Sequence, residues 1–65
     1  MPIIRVSMFE GRTDDQKERL AKAIADAMHE IAGSNRDGVN VLFDDVQPKN
    51  WYRGGVQLGA AAKAR

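Results

Sequence analysis

One long amphipathic helix between two single runs of strand-forming residues is the feature that most restricts the fold of this chain. Thr13 and Gln16 form a capping-box pattern, and Gly33 stands where many helices end in a left-handed residue. Apolar residues recur at helical spacing between these signals, so the pattern predicts a helix over residues 13–32. The expected apolar stripe consists of Leu20, Ile24, Ala27, Met28 and Ile31.

Two runs of strand-forming residues flank this helix. Side chains alternate in direction along a strand, so the run 2–9 has two faces, Ile4, Val6 and Met8 against Ile3, Arg5, Ser7 and Phe9. The run 39–46 likewise separates Val39, Val41 and Phe43 from Asn40, Leu42 and Asp44. A strand, a helix and a strand joined by short loops predict a right-handed β-α-β unit with parallel strands.

The remainder of the chain is short. Residues 50–55, after Pro48, predict a tight turn or hairpin, and residues 57–65 form an alanine-rich tail. The predicted fold class is therefore α+β, with one domain over residues 1–65 that contains a single β-α-β unit and a C-terminal hairpin or turn.

This chain is expected to need a second copy of itself. One helix covers only one face of a two-stranded sheet, so the face with Ile3, Phe9 and Leu42 has no cover within the chain. A chain of this length buries only about 60% of the surface that its unfolded form exposes. Because the chain has no cysteine, disulfides cannot supply the missing stability. We therefore expect identical subunits to pair or stack their sheets as a homo-oligomer.

Charge and composition restrict the partners further. The net charge is +1 and the basic residues are spread along the chain, whereas nucleic-acid binding needs a clustered basic face. No apolar run approaches the roughly 18 residues that span a bilayer. A single histidine, His29, cannot form a zinc site alone. We expect a cytoplasmic protein without nucleic-acid, membrane or metal partners.

Pro2 is the residue that most strongly indicates chemistry. Removal of an initiator methionine is usual before a small residue, and it would leave Pro2 with a free secondary amine. An α-amine titrates at about pH 8 in model compounds, and an apolar wall or a nearby cation lowers its pKa toward neutrality. Such an amine suits general acid–base catalysis. If Met1 stays attached, the Pro2 nitrogen is an amide that cannot accept a proton, and Pro2 then only begins a strand.

The arrangement of three segments resembles the 4-oxalocrotonate tautomerase family. These are Pro2 at the start of a strand, the segment EGRTDDQK over residues 10–17, and the Gly54-Gly55 turn. The resemblance implies the tautomerase fold, paired β-α-β subunits commonly assembled as a hexamer of three dimers, and catalysis without cofactor or metal. It also implies that Pro2 takes a proton from an enol hydroxyl and returns it to a distant carbon of a small carboxylate substrate.

The resemblance also implies roles for other residues. Arg12 matches an arginine that binds a substrate carboxylate. Trp51 falls where the family has an aromatic wall, and an anchor at a subunit interface is the equal alternative for it. Asn40 stands where the family has a second arginine, which serves a neighbouring subunit's site, so activity on the family's diacid is expected to be weak. Arg53, or less favourably Arg36, is our hypothesis for a replacement cation, and a surface role is the alternative for Arg53.

Two further functions fit the same scaffold. In a hydratase or dehalogenase, a protonated Pro2 would act as a general acid while a carboxylate activates water, and Asp44 is the candidate carboxylate. The other alternative is a non-catalytic oligomeric homologue, which the asparagine at position 40 favours and the presence of Pro2 and Arg12 opposes.

Overall fold

A computed structural model describes residues 1–59 of the chain. Its elements are β1 (Ile3–Phe9), α1 (Asp14–Ala32), β2 (Asn40–Val46), β3 (Tyr52–Arg53) and β4 (Val56–Gln57). Short 3-10 turns, Arg36–Gly38 and Pro48–Asn50, precede β2 and β3. The predicted tail begins too early, because Gln57 pairs in β4, and residues 60–65 of that tail lie outside the described residues.

The strands and helix form the predicted β-α-β unit. Strands β1 and β2 pair in parallel, with a register that runs from Ile3 opposite Asn40 to Phe9 opposite Val46. Strands β3 and β4 form a separate antiparallel hairpin. The α+β fold class is therefore confirmed.

Local signals at both ends of α1 explain its bounds. The Thr13 hydroxyl accepts from the Gln16 backbone N–H at 3.1 Å, and the Gln16 side chain accepts from the Thr13 N–H at 2.9 Å. These bonds satisfy donors that have no partner within the helix. At the other end Gly33 adopts a φ of 73°, in the left-handed region that favours glycine.

The helix is rotated on the sheet relative to the prediction. Ile24 and Met28 of the expected stripe are half-buried, but Leu20 is 41% exposed, Ile31 is 86% exposed and Ala27 is also exposed. The half-buried line instead includes Lys17, whose ammonium pairs with Asp45 on β2. This ion pair anchors the helix on the sheet, and a pattern of apolar residues alone could not reveal it.

The uncovered face of the sheet is present at Ile3 and Leu42, but the prediction was wrong for Phe9, which is half-buried beside Trp51 of the same chain. Ile3 is 63% exposed and Leu42 is 45% exposed, whereas the alternate residues Ile4 and Phe43 are half-buried on the other face. Within residues 1–59 no hydrophobic side chain is fully buried. A single copy therefore lacks a closed core.

The membrane expectation can be examined on the same structure. Within the described part of the chain, no helix has the length and apolar character required to cross a bilayer.

We predict that unfolding depends on protein concentration. Because one copy has no closed core, assembly supplies the missing burial, and mass action then links stability to concentration. Thermal melts followed by circular dichroism over about a hundredfold concentration range should show a rising midpoint. A midpoint independent of concentration, together with a monomer by light scattering, would contradict this expectation.

Candidate active site

The first end of β1 holds Pro2 beside Asn40. The Asn40 backbone N–H donates to the Pro2 carbonyl at 2.9 Å, which extends the parallel ladder by one step. Pro2 is half-buried, while Met1 before it is 90% exposed. The position of Pro2 is thus set by its own carbonyl, and little of Met1 contacts the rest of the chain.

The opposite end of β1 carries an aromatic pair. The rings of Phe9 and Trp51 lie 4.9 Å apart at an interplanar angle of 76°, an edge-to-face contact. Trp51 follows the turn that starts at Pro48, and its N–H donates to the Pro48 carbonyl at 3.1 Å. Its own carbonyl accepts from the Leu58 N–H at 2.8 Å. Trp51, the predicted wall residue, therefore packs against Phe9 of the same chain.

The hairpin that follows Trp51 carries Arg53, which lies opposite Val56. Gln57, opposite Tyr52, donates to the Tyr52 hydroxyl at 3.5 Å. The tight turn uses Gly54 and Gly55 at φ values of 59° and 82°. Two successive left-handed residues match the two-residue turn that antiparallel hairpins favour.

The ion pairs separate the arginines into two groups. Three arginines within residues 1–59 have carboxylate partners: Arg5, Arg19 and Arg36. Arg12, in the loop after β1, and Arg53, on the hairpin, have no carboxylate partner in that same part of the chain. Both are exposed, so both guanidinium groups are available to an anionic ligand. Arg36, the other candidate cation for the substrate, forms an ion pair with Asp26 and is therefore already neutralised.

The predicted site residues do not meet within one chain. Strand β1 runs over Ile3–Phe9, so Pro2 and Phe9, seven residues apart, are separated by about 23 Å at the usual rise. Pro2 and Asn40 lie at the first end, whereas Arg12 and the aromatic wall of Trp51 lie at the second. A site that uses both groups requires residues from more than one copy.

A polar cluster that the sequence analysis missed lies on the uncovered face. Asp44 Oδ2 accepts from the Ser7 hydroxyl at 3.0 Å and pairs with Arg5 Nε at 3.1 Å. Strand alternation had already put Arg5 and Ser7 on one face, but only the register shows that Asp44 lies opposite Ser7. As expected for neighbours in a strand, Asp45 points the other way, toward Lys17.

The parallel β-α-β unit, with Pro2 leading into its first strand, defines a subunit of the tautomerase fold. The model of the family described as "Tautomerase enzyme" matches residues 2–61. The chain belongs to the tautomerase family, as its resemblance implied. A probable tautomerase of Staphylococcus aureus is 33% identical over 57 residues, which cover 88% of this chain and 93% of that protein.

Solved structures agree with this assignment. TomN, a 4-oxalocrotonate tautomerase homologue of the tomaymycin biosynthetic pathway, superposes with a TM-score of 0.85 at 33% identity. The match covers 98% of this chain and 97% of TomN. A heterohexameric 4-oxalocrotonate tautomerase from Chloroflexus aurantiacus gives a TM-score of 0.82 at 31% identity, with both chains covered in full.

We predict that Gly59→Ala disturbs the hairpin and the aromatic wall. A Cβ at Gly59 would lie 2.9 Å from Lys49 Cα and 3.0 Å from Lys49 N, both backbone atoms of the turn before Trp51. Overpacking of this kind typically destabilises by about 1–3 kcal/mol. Trp51 is the only tryptophan, so its fluorescence during denaturation reports this region directly.

Gly38→Ala is the matched control for that variant. A Cβ at Gly38 has no atom within 4 Å, and its backbone is not left-handed. We expect wild-type fluorescence and stability from Gly38→Ala, and equal behaviour of the two variants would show that Gly59 is not tightly packed.

Proposed function

We propose that this protein is an isomerase that catalyses enol–keto proton transfer on a small unsaturated 2-hydroxy or 2-oxo carboxylic acid. Pro2, freed by removal of Met1, is the general base, and no cofactor takes part. The observation that carries the proposal is Pro2 at the head of β1, fixed through its carbonyl by Asn40, in a chain of the tautomerase family.

The proposed reaction is a proton shift without change of oxidation state. The Pro2 nitrogen accepts the enol hydroxyl proton as the oxygen becomes a ketone and the double-bond electrons move along the conjugated chain. The proton then passes from the prolyl ammonium to the terminal carbon, which restores the free amine. Because φ is fixed by the ring, the lone pair keeps one direction during the two transfers.

Assembly accounts for the distance between the two ends of β1. An antiparallel pairing of two copies places the start of one β1 beside the end of the other. Pro2 of one copy would then face Arg12 and the Phe9–Trp51 wall of a neighbouring copy. The apolar wall excludes water and lowers the pKa of the prolyl amine, since it disfavours the charged form. We propose a homo-oligomer built from such dimers, as a hexamer.

The pattern of ion pairs supports carboxylate-binding roles for two arginines. Arg12 and Arg53 are both without carboxylate partners in residues 1–59, and a guanidinium matches a carboxylate through two parallel hydrogen bonds. Arg36 is engaged with Asp26. The available cation of the hairpin, Arg53, is therefore the one that we assign to the substrate.

The structure offers less support for the hydratase or dehalogenase alternative. Asp44, its candidate for activating water, already accepts a hydrogen bond from Ser7 and an ion pair from Arg5. It also lies opposite Ser7, about 16 Å along the strand from Pro2 of the same chain. Proton transfer by the free amine of Pro2 needs no such carboxylate.

Pro2→Ala should reduce kcat/KM on an enol such as phenylenolpyruvate by about 100-fold or more. The variant keeps an α-amine but loses the ring that fixes its direction. In the wild type, kcat/KM should fall as the pH drops below the pKa of the amine, because the ammonium form cannot accept a proton.

Intact-mass measurement of both proteins is the control for this comparison. Met1 must be absent from each, since its retention would acylate the nitrogen under test. Full activity of a wild-type preparation that retains Met1, or of Pro2→Ala, would exclude the proposed base. Absence of activity on any enol would support the non-catalytic alternative.

Arg53→Ala and Arg36→Ala form a matched pair for the carboxylate role. Loss of a charge-assisted hydrogen bond to substrate typically costs about 1.5–3 kcal/mol, so kcat/KM of Arg53→Ala should fall by at least about tenfold on a carboxylate-bearing enol. Arg36→Ala should stay near wild type in steady-state assays. Equal rates for wild type and Arg53→Ala would return Arg53 to a surface role.

A further inference from the structure

The uncovered face of the sheet carries one positive and one negative charge side by side. Arg5 stands opposite Leu42 and Asp44 stands opposite Ser7, so the two charged residues are diagonal neighbours across the strands. Among the residues of β1 and β2 that alternation places on this face, Arg5 and Asp44 are the only charged ones. The face is therefore neutral as a whole, with a positive and a negative side to its polar cluster.

The polar cluster leaves some of its own hydrogen-bonding groups unused. Asp44 uses one carboxylate oxygen, Oδ2, for both the Ser7 hydroxyl at 3.0 Å and Arg5 Nε at 3.1 Å. Within residues 1–59, Asp44 Oδ1 accepts no hydrogen bond and the two Nη groups of Arg5 donate none. The Arg5 side chain is 67% exposed and the Asp44 side chain is 39% exposed. A guanidinium has five N–H donors and a carboxylate about four acceptor positions, so the cluster offers both donors and an acceptor to a neighbouring molecule.

A surface that covers this face has to match these spare groups. Apolar residues lie beside the cluster, with Ile3 63% exposed and Leu42 45% exposed. Their burial is favourable only where Arg5 and Asp44 also find polar partners. The covering surface therefore needs an acceptor for Nη and a donor for Oδ1, held as far apart as these two side chains are. The same face of a second copy has both groups at that separation.

We propose that the uncovered face stacks on the same face of a second copy, through reciprocal contacts between Arg5 of one copy and Asp44 of the other. A two-fold axis in the plane between the two faces turns one cluster around relative to its twin. The Nη groups of each Arg5 then lie against Oδ1 of the opposite Asp44, and the two contacts are identical. The proposal rests on the homo-oligomer proposed above and names the residues of one contact within it. It needs neither Pro2 nor the proposed reaction.

Charge reversal on each side of the contact tests the proposal. In Arg5→Asp the cluster is wholly negative, and in Asp44→Arg it is wholly positive, so two copies of the same variant repel each other. Each variant should require an at least about tenfold higher concentration than the wild type for half of the chains to assemble. Light scattering gives the mass at each concentration, and circular dichroism confirms that the helix is present. Wild-type assembly by both variants would overturn the proposal.

An equimolar mixture of the two variants, refolded together, separates contacts between copies from contacts within one chain. Between an Arg5→Asp copy and an Asp44→Arg copy, each contact again joins opposite charges, although the pair within each chain stays repulsive. We expect the mixture, like the double variant Arg5→Asp/Asp44→Arg, to regain the wild-type mass at the wild-type concentration. Recovery by the double variant but not by the mixture would show that the pair acts only within its own chain, which would overturn the proposal.

Arg19→Asp is the matched control, because it reverses a charge away from the uncovered face. Arg19 pairs with Asp15 at 3.6 Å on α1, and both side chains are 76% exposed. The mass of this variant at each concentration should equal that of the wild type. All of these measurements record assembly, whereas failure of the proposed reaction appears only in the turnover of an enol. A wild type that assembles while charge reversal has no effect would overturn this contact and leave the proposed reaction standing.

Discussion

The rest of the structure depends on the coverage of a two-stranded sheet by one helix. Helix α1 covers the face with Ile4 and Phe43, and the ion pair between Lys17 and Asp45 anchors it there. The opposite face has no cover, and no hydrophobic side chain within residues 1–59 is fully buried. In the homo-oligomer that we propose, folding and association of the chain are parts of one equilibrium.

The same constraint determines how a site can form. Strand β1 separates Pro2, at its start, from Phe9 of the aromatic pair, at its end, by about 23 Å. Asn40 lies at the end with Pro2, and Arg12 follows the end with Phe9. Each copy thus carries two incomplete groups, a neutral one with the proposed base and a cationic one with the apolar wall. On the proposed function, a catalytic site forms only where these two groups of neighbouring copies meet.

Much of this architecture could be predicted from the sequence because the signals are local. The capping box at Thr13, the left-handed Gly33 and the alternation along both strands fixed the elements, and the glycine pair at 54 and 55 marked the hairpin. The predicted apolar stripe of α1 was wrong at Leu20, Ala27 and Ile31, which are exposed, since apolar periodicity ignores charged residues such as Lys17 on the half-buried line. Likewise, only tertiary structure could show that Arg36 is paired while Arg53 is available.

The cluster of Arg5, Ser7 and Asp44 has a consequence for the choice of neighbour. The cluster lies on the uncovered face of the sheet, beside the exposed apolar residues Ile3 and Leu42. A surface that covers this face removes water from a charged pair, which is unfavourable unless its own polar groups replace that water. An apolar surface of matching shape would leave the charged pair without polar partners and would therefore bind unfavourably. In the homo-oligomer that we propose, the cluster would therefore favour a partner surface with polar groups at this place over one without them.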